Sequence, residues 1–244
     1  MPKKYGVKEK DQVVAHILEL LLTGRLRTGD RVDRNEITAA LGLSRVPVQE
    51  ALVQLEHDGI LETRYHRGAF VQRFDEASLR EHHEVHGLLT GAVSARAAAE
   101  PRTEVLDELD GAMTIMRNAD GPRSFVEGAE RFRDVVIAAY AGPRLTATIH
   151  SSRSFMPWNF WAGLEDNKNR LLPLLEVEYA AILRKDPAGA RRACVDRADV
   201  MADLLHACQP YKLGDSSRAK VDFTALRQAR ERVSLLAERA GIDF

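Results

Sequence analysis

The sequence predicts a mainly α protein in two parts: a small N-terminal unit of three helices and one β-hairpin over residues 1–75, followed by an all-helical bundle over residues 76–244. Three observations lead there. Apolar residues recur at spacings of three and four along most of the chain, the signature of amphipathic helices. Short extended runs around a glycine-bearing turn occur once, at 60–73. The texture changes near residue 75, and 244 residues suffice for two modest cores.

Residues 11–23 carry Val13, Val14, Ile17, Leu18, Leu21 and Leu22, the stripe of a helix that ends at Thr23-Gly24. Leu26 to Val32 forms a short apolar connector around the turn signature Thr28-Gly29-Asp30. A second helix runs from Arg34 to Leu41, capped by Asp33, with Ile37 and Leu41 facing inward and Gly42-Leu43 breaking it. Ser44 caps a third helix, which tolerates Pro47 in its first turn, turns Val48, Leu52 and Leu55 inward, and stops at Asp58-Gly59. Ile60–Arg64 and Ala69–Arg73 then flank Tyr65-His66-Arg67-Gly68 as a hairpin. Helix, helix, turn, helix, hairpin is the order of a winged helix-turn-helix.

From Asp75 onward no alternating strand pattern occurs. Helices are expected over 76–99, 103–118, 122–140, 144–156, 168–185, 187–208 and 221–240, with breaks at Glu100-Pro101, Asp120-Gly121-Pro122, Gly142-Pro143 and Asp186-Pro187.

Composition excludes several classes. Net charge is −1, and residues 1–75 balance 12 Lys and Arg against 11 Asp and Glu, so any nucleic-acid affinity must come from a local patch. No continuous apolar segment is long enough to span a membrane, and the charged start does not resemble a signal peptide. Two cysteines, Cys194 and Cys208, make no disulfide framework, so a reducing, cytoplasmic setting is expected. No G-x-S-x-G, phosphate-binding loop or dinucleotide fingerprint is present, which speaks against an enzyme.

Base reading requires a helix whose exposed first turn offers donors to base edges while neighbours fix it to phosphates. Ser44, Arg45, Val46, Pro47 and Gln49 supply such a turn: Arg45 suits guanine, Gln49 suits adenine, and Val46 suits a thymine methyl. At the hairpin tip, Gly68 permits close approach of the backbone, and Arg67, with His66 beside it, can meet a phosphate or enter the minor groove. Arg34 is a further phosphate candidate. Taken singly, each of these reads more readily as a solvated charge at a helix end; their clustering favours double-stranded operator DNA as the partner.

The run Leu26-Arg27-Thr28-Gly29-Asp30-Arg31-Val32, then Leu41-Gly42-Leu43-Ser44-Arg45-Val46-Pro47-Val48-Gln49-Glu50-Ala51-Leu52, Leu55-Glu56-His57-Asp58-Gly59-Ile60-Leu61 and Arg67-Gly68-Ala69-Phe70-Val71 closely resembles the GntR family of bacterial regulators. The resemblance implies a DNA-binding transcription regulator, usually a repressor and a homodimer. It supports Arg45 above all, with Arg34, His66 and Gly68. The family usually has arginine where this chain has Gln49, so a different operator is expected.

An all-helical second domain resembles the family's FadR-type (FCD) branch, with Phe132, Ala180-Ala181-Ile182, Lys185-Asp186 and Ala190 matching its looser pattern. That branch implies a small-molecule effector, often held through a metal bound by one aspartate and three histidines. Those positions fall here at Ala129, Arg133, Leu175 and Arg197, none of them an ordinary ligand, so no metal cofactor is expected. Arg133 and Arg197 either bind an acidic effector directly or pair with Glu127, Glu130, Asp134 or Asp196. Trp158, Phe160 and Trp161 either line an acyl-binding pocket or plug the bundle, and His150 is a further effector candidate. His82 and His86 share a helix face, without an identified third metal ligand. A ligand-blind architectural protein is the competing reading.

Overall fold

The computed structural model describes residues 8–153 and 167–208, and residue 235 by itself. The described residues fall into two compact units, one running to Leu79 and the other from Arg80 to Cys208.

In the first unit, α1 (Glu9–Leu22) turns Val13, Val14, Ile17, Leu18, Leu21 and Leu22 inward. Their spacing places all six on one stripe, which packs against α3 (Arg45–His57). Between them, α2 (Arg34–Leu41) starts where the Asp33 carboxylate accepts the amides of Asn35 and Glu36, and ends at Gly42 in the left-handed region. Ile37 is buried as expected, whereas Leu41 is only half-buried.

The hairpin pairs β1 (Leu61–Arg64) with β2 (Gly68–Val71) antiparallel, Leu61 opposite Val71 and Arg64 opposite Gly68. The connector before α2 does more than link helices. The Gly29 amide donates to Val71 O, the Val71 amide to Asp30 O and the Val32 amide to Ala69 O, each at 2.9 Å. It therefore runs along the outer edge of β2, a pairing its three or four residues are too few to announce as a strand.

The second unit is helical: α4 (Glu76–Ala99), α5 (Thr103–Arg117), α6 (Pro122–Tyr140), α7 (Pro143–Ser152), α8 (Asn167–Leu183) and α9 (Pro187–Cys208). Its core joins Met113, Phe125, Phe132, Ile149, Leu174 and Ile182 from four of these helices with Leu204 from α9. Two glycines permit close contact between helices. A β-carbon at Gly128 would lie 2.6 Å from Met116 Cγ, where α5 meets α6, and one at Gly87 would lie 2.7 Å from Ala198 Cβ, where α4 meets α9. Helix α8 continues through Pro173, which is buried, so the burial of the helix outweighs the lost backbone donor. The expected helix at 144–156 ends at Ser152, and the expected helix at 221–240 lies, apart from residue 235, outside the described residues.

Candidate nucleic-acid interface and a buried arginine cluster

Helix α3 has two faces with opposite fates. Val48, Ala51, Leu52 and Leu55 are buried, while Arg45, Val46, Gln49 and Glu50 stand in solvent. Val46 is 66% exposed at the helix start, an apolar side chain left in water beside an arginine. Pro47 does not join them: it is buried, so it anchors the first turn instead of offering a surface. Ser44 occupies the N-cap position, but its side chain makes no capping bond, contrary to the expected cap. Helices α1 and α2 carry acidic residues in their first turns and α3 carries none. The positive end of its dipole is thus left uncompensated, which suits a phosphate. Arg34 is exposed as the first residue of α2.

The wing is tied to this helix. Glu56 of α3 accepts the Thr63 amide at 3.0 Å and the Thr63 hydroxyl at 2.8 Å, and Ile60 donates its amide to Leu55 O at 2.8 Å. Sequence alone does not single out Glu56, because an acidic residue on an outer helix face reads as solvated. At the tip, the Arg67 amide closes the turn on Arg64 O at 2.9 Å. His66 adopts φ 55° and Gly68 φ 98°. Arg31 covers the place a Gly68 side chain would take, its Nε 3.4 Å from a β-carbon built there. His66 and Arg67 are exposed, and Gly68 is half-buried beneath Arg31.

The second unit holds a different chemistry. Arg133 of α6 and Arg197 of α9, 64 positions apart in sequence, meet on one carboxylate, Glu178 of α8. Arg133 Nη2 donates to Glu178 Oε2 at 2.7 Å and its Nη1 to the Ser94 hydroxyl at 3.1 Å; Ser94 in turn donates to Glu178 Oε1 at 2.5 Å. Arg197 also donates to Oε2. Glu178 is fully buried, and both arginines are nearly so. Burial opposes the carboxylate's charge, but Arg133 and Arg197 outweigh it and hold Glu178 well below the usual carboxylate range. Burial likewise opposes the Arg133 charge, and Glu178 reverses that effect, leaving its pKa raised. Burial pushes the neighbouring Cys194 thiol up, with the Glu178 charge adding to it. Of the expected partners, Asp134 pairs with Arg153 instead. The true partner lay in a helix that spacing alone does not connect to α6 or α9.

Beside this cluster, His82 donates from Nε2 to Ser152 O, and His86 Nδ1 lies 2.8 Å from the Ser152 hydroxyl. Because that hydroxyl donates to Ile149 O at 2.8 Å, His86 is the donor in its pair. Burial first, then the charge of His83, pushes His82 down to about 4. Burial first, then Arg133 and Arg197, pushes His86 well below the usual imidazole value. The two histidines therefore share a face, as their spacing predicts, and meet a serine there. Ala129 is half-buried and Leu175 buried, both against the apolar core. Two arginines on a carboxylate do not form a cation's ligand set. His150 is exposed on α7, and Trp158, Phe160 and Trp161 lie outside the described residues. No described helix is long and apolar enough to cross a membrane.

Residues 9–71 match the model of the gntR family of bacterial regulatory proteins. An uncharacterized HTH-type transcriptional regulator of Mycobacterium tuberculosis is 58% identical over 207 residues, which cover 85% of this chain and 85% of that protein. A probable D-xylose utilization operon transcriptional repressor of Paenarthrobacter nicotinovorans is 32% identical over 189 residues, 76% of each. Among solved structures, E. coli McbR/YncC superposes with a TM-score of 0.59 at 20% identity, covering 82% of this chain and 98% of that one, a likeness of fold. The N-terminal turn-and-wing geometry and these relatives agree: the chain belongs to the GntR family of bacterial regulatory proteins and is a DNA-binding transcriptional regulator.

Proposed function

We propose that this chain is a dimeric, effector-controlled repressor of the FadR-type branch, working in the cytoplasm and reading a pseudo-palindromic operator with the outer face of α3 and the wing. The observation that carries the reading is the exposure of Arg45, Val46 and Gln49 on a helix whose opposite face is wholly buried, beside a wing fastened to it through Glu56. In this reading Arg45 takes a guanine, Gln49 an adenine and Val46 a thymine methyl, while Ser44, Arg34 and Arg67 meet phosphates and His66 and Gly68 let the wing approach. Pro47 acts by holding the turn. Two such heads are needed because one short helix covers too few base pairs for tight, specific binding. The repressor assignment draws support from the Paenarthrobacter relative.

An acidic effector, a carboxylate or acyl compound, fits the second unit. In the Arg133–Glu178–Arg197 contact, two guanidinium groups share one carboxylate oxygen, and the adjacent His82 and His86 are held neutral. An additional anion would offset that excess of buried positive charge without any metal. His150, being exposed, supplies at most a rim contact. The same ion pairs favour a second reading, a ligand-blind regulator, because both arginines already hold a carboxylate.

Two measurements test these statements. Selection of genomic fragments by the purified protein at moderate salt should return a small set sharing a two-fold-related motif; uniform recovery of the genome would defeat the operator reading. A thermal-shift screen with organic acids and acyl thioesters should reveal a ligand that adds roughly 2.7 kcal/mol at a hundred times its dissociation constant. No shift with any acid, together with unchanged operator affinity, would leave the ligand-blind reading standing.

A further inference from the structure

We propose that Tyr65, braced by His66, is a DNA-contacting residue of the wing that selects A·T over G·C base pairs beneath the hairpin tip. The inference rests on the operator-reading role argued above. Tyr65 is 87% exposed, more than Val46 on the reading helix itself. A large aromatic kept in water on a loop tip gains nothing for the free protein, since burial is what makes such a ring stabilising. Its ring meets the His66 imidazole edge-on, with centroids 4.0 Å apart at 61°. His66 stands in the left-handed region at φ 55°, a conformation a residue with a side chain adopts at some cost.

The neighbouring cations sort themselves by use. Arg64 is turned back on the hairpin: its guanidinium lies over the Phe70 ring at 4.4 Å, and its Nε donates to Glu62 at 2.6 Å. Arg31 lies over Gly68. These two brace the wing, and the turn bond from Arg67 to Arg64 closes it. Tyr65, His66 and Arg67, the three residues between the strands, are left standing outward on a stiff base.

That trio matches the minor groove. Its walls are deoxyribose, against which a phenol ring packs, and its floor in A·T pairs offers only the acceptors adenine N3 and thymine O2. The tyrosine hydroxyl can donate to either. In a G·C pair the guanine amino group projects from the floor into the same space and keeps the ring away from the acceptors beneath it. Arg67 adds a sequence-independent attraction to the phosphates that border the groove. The wing thereby adds base preference to what would otherwise be phosphate contact alone.

The test uses the full-length protein and the genomic fragment that the wild-type chain selects, with footprinting to identify the base pairs under the wing. Tyr65→Ala should bind that fragment about tenfold more weakly where those pairs are A·T, the lower range for a base-directed contact. The loss should shrink below about twofold when they are changed to G·C. Tyr65→Phe should keep most of the affinity and lose most of the A·T preference. Circular dichroism and melting of both variants should match wild type, since the side chain lies outside the core. If Tyr65→Ala binds like wild type while Arg45→Ala is weakened, the wing proposal fails and the operator reading survives. If both bind like wild type, the operator reading fails as well. Equal losses on A·T and G·C flanks would overturn the selection.

Discussion

Arg45 and Arg67 are both exposed cations of the N-terminal unit, yet their positions assign them different work. Arg45 opens the reading helix, where a forked guanidinium reaches guanine O6 and N7. Arg45→Ala should cost about 1 to 3 kcal/mol on the operator and relax base preference, measured as the ratio of operator to random-DNA affinity. Arg67 sits at the hairpin tip, so Arg67→Ala should weaken all sequences alike and flatten the dependence of log K on log salt by about one unit. Equal losses on operator and random DNA for both variants would contradict the division. Glu178 answers to stability instead. Removing its carboxylate leaves Arg133 and Arg197 buried against each other, so Glu178→Ala should cost about 3 to 5 kcal/mol in denaturant unfolding of the second unit. Glu178→Gln, which keeps the shape and loses the charge, should also be destabilised.

At the scale of elements, each junction depends on a few contacts. Asp33 satisfies two amides at the start of α2, so Asp33→Ala should lower stability by about 1 kcal/mol. Helices α5 and α6 approach closely only because residue 128 has no side chain. Gly128→Ala must push Met116 aside and should cost about 1 to 3 kcal/mol, the usual range for an overpacked core. Glu56 is the element-level link between recognition helix and wing. Its bonds are solvent-exposed, so their main consequence is the wing's position relative to α3.

For the molecule as a whole, the buried histidines set a pH dependence of known sign. His82 and His86 have folded pKa values below the ordinary imidazole value near 6.5, His82 at about 4. Between those values the unfolded chain binds more protons than the folded one, so stability falls as pH drops from about 6.5 toward 4. Thermal melts across that window should show a loss on the order of 1 to 3 kcal/mol, and His82→Asn should reduce it. Glu178 acts at lower pH: its depressed pKa contributes stability above the unfolded carboxylate value, and that contribution is lost as acid protonates it. A melt independent of pH from 7 to 4 would show that the imidazoles are hydrated.

By itself the sequence determined what is local. Helix periods placed α2, α4 and α6 at their observed limits, Asp33 and Gly42 announced the two ends of α2, and the run around Arg45 announced the reading turn. These features follow from contacts among residues a few positions apart, which a linear pattern records. Tertiary structure decided what joins distant segments: the connector at 29–32 laid along β2, Glu56 holding Thr63, and Glu178 gathering Arg133 and Arg197. The reason is physical. A buried charge must find its counter-charge wherever packing brings helices together, and no spacing within one helix specifies which carboxylate on another will arrive there.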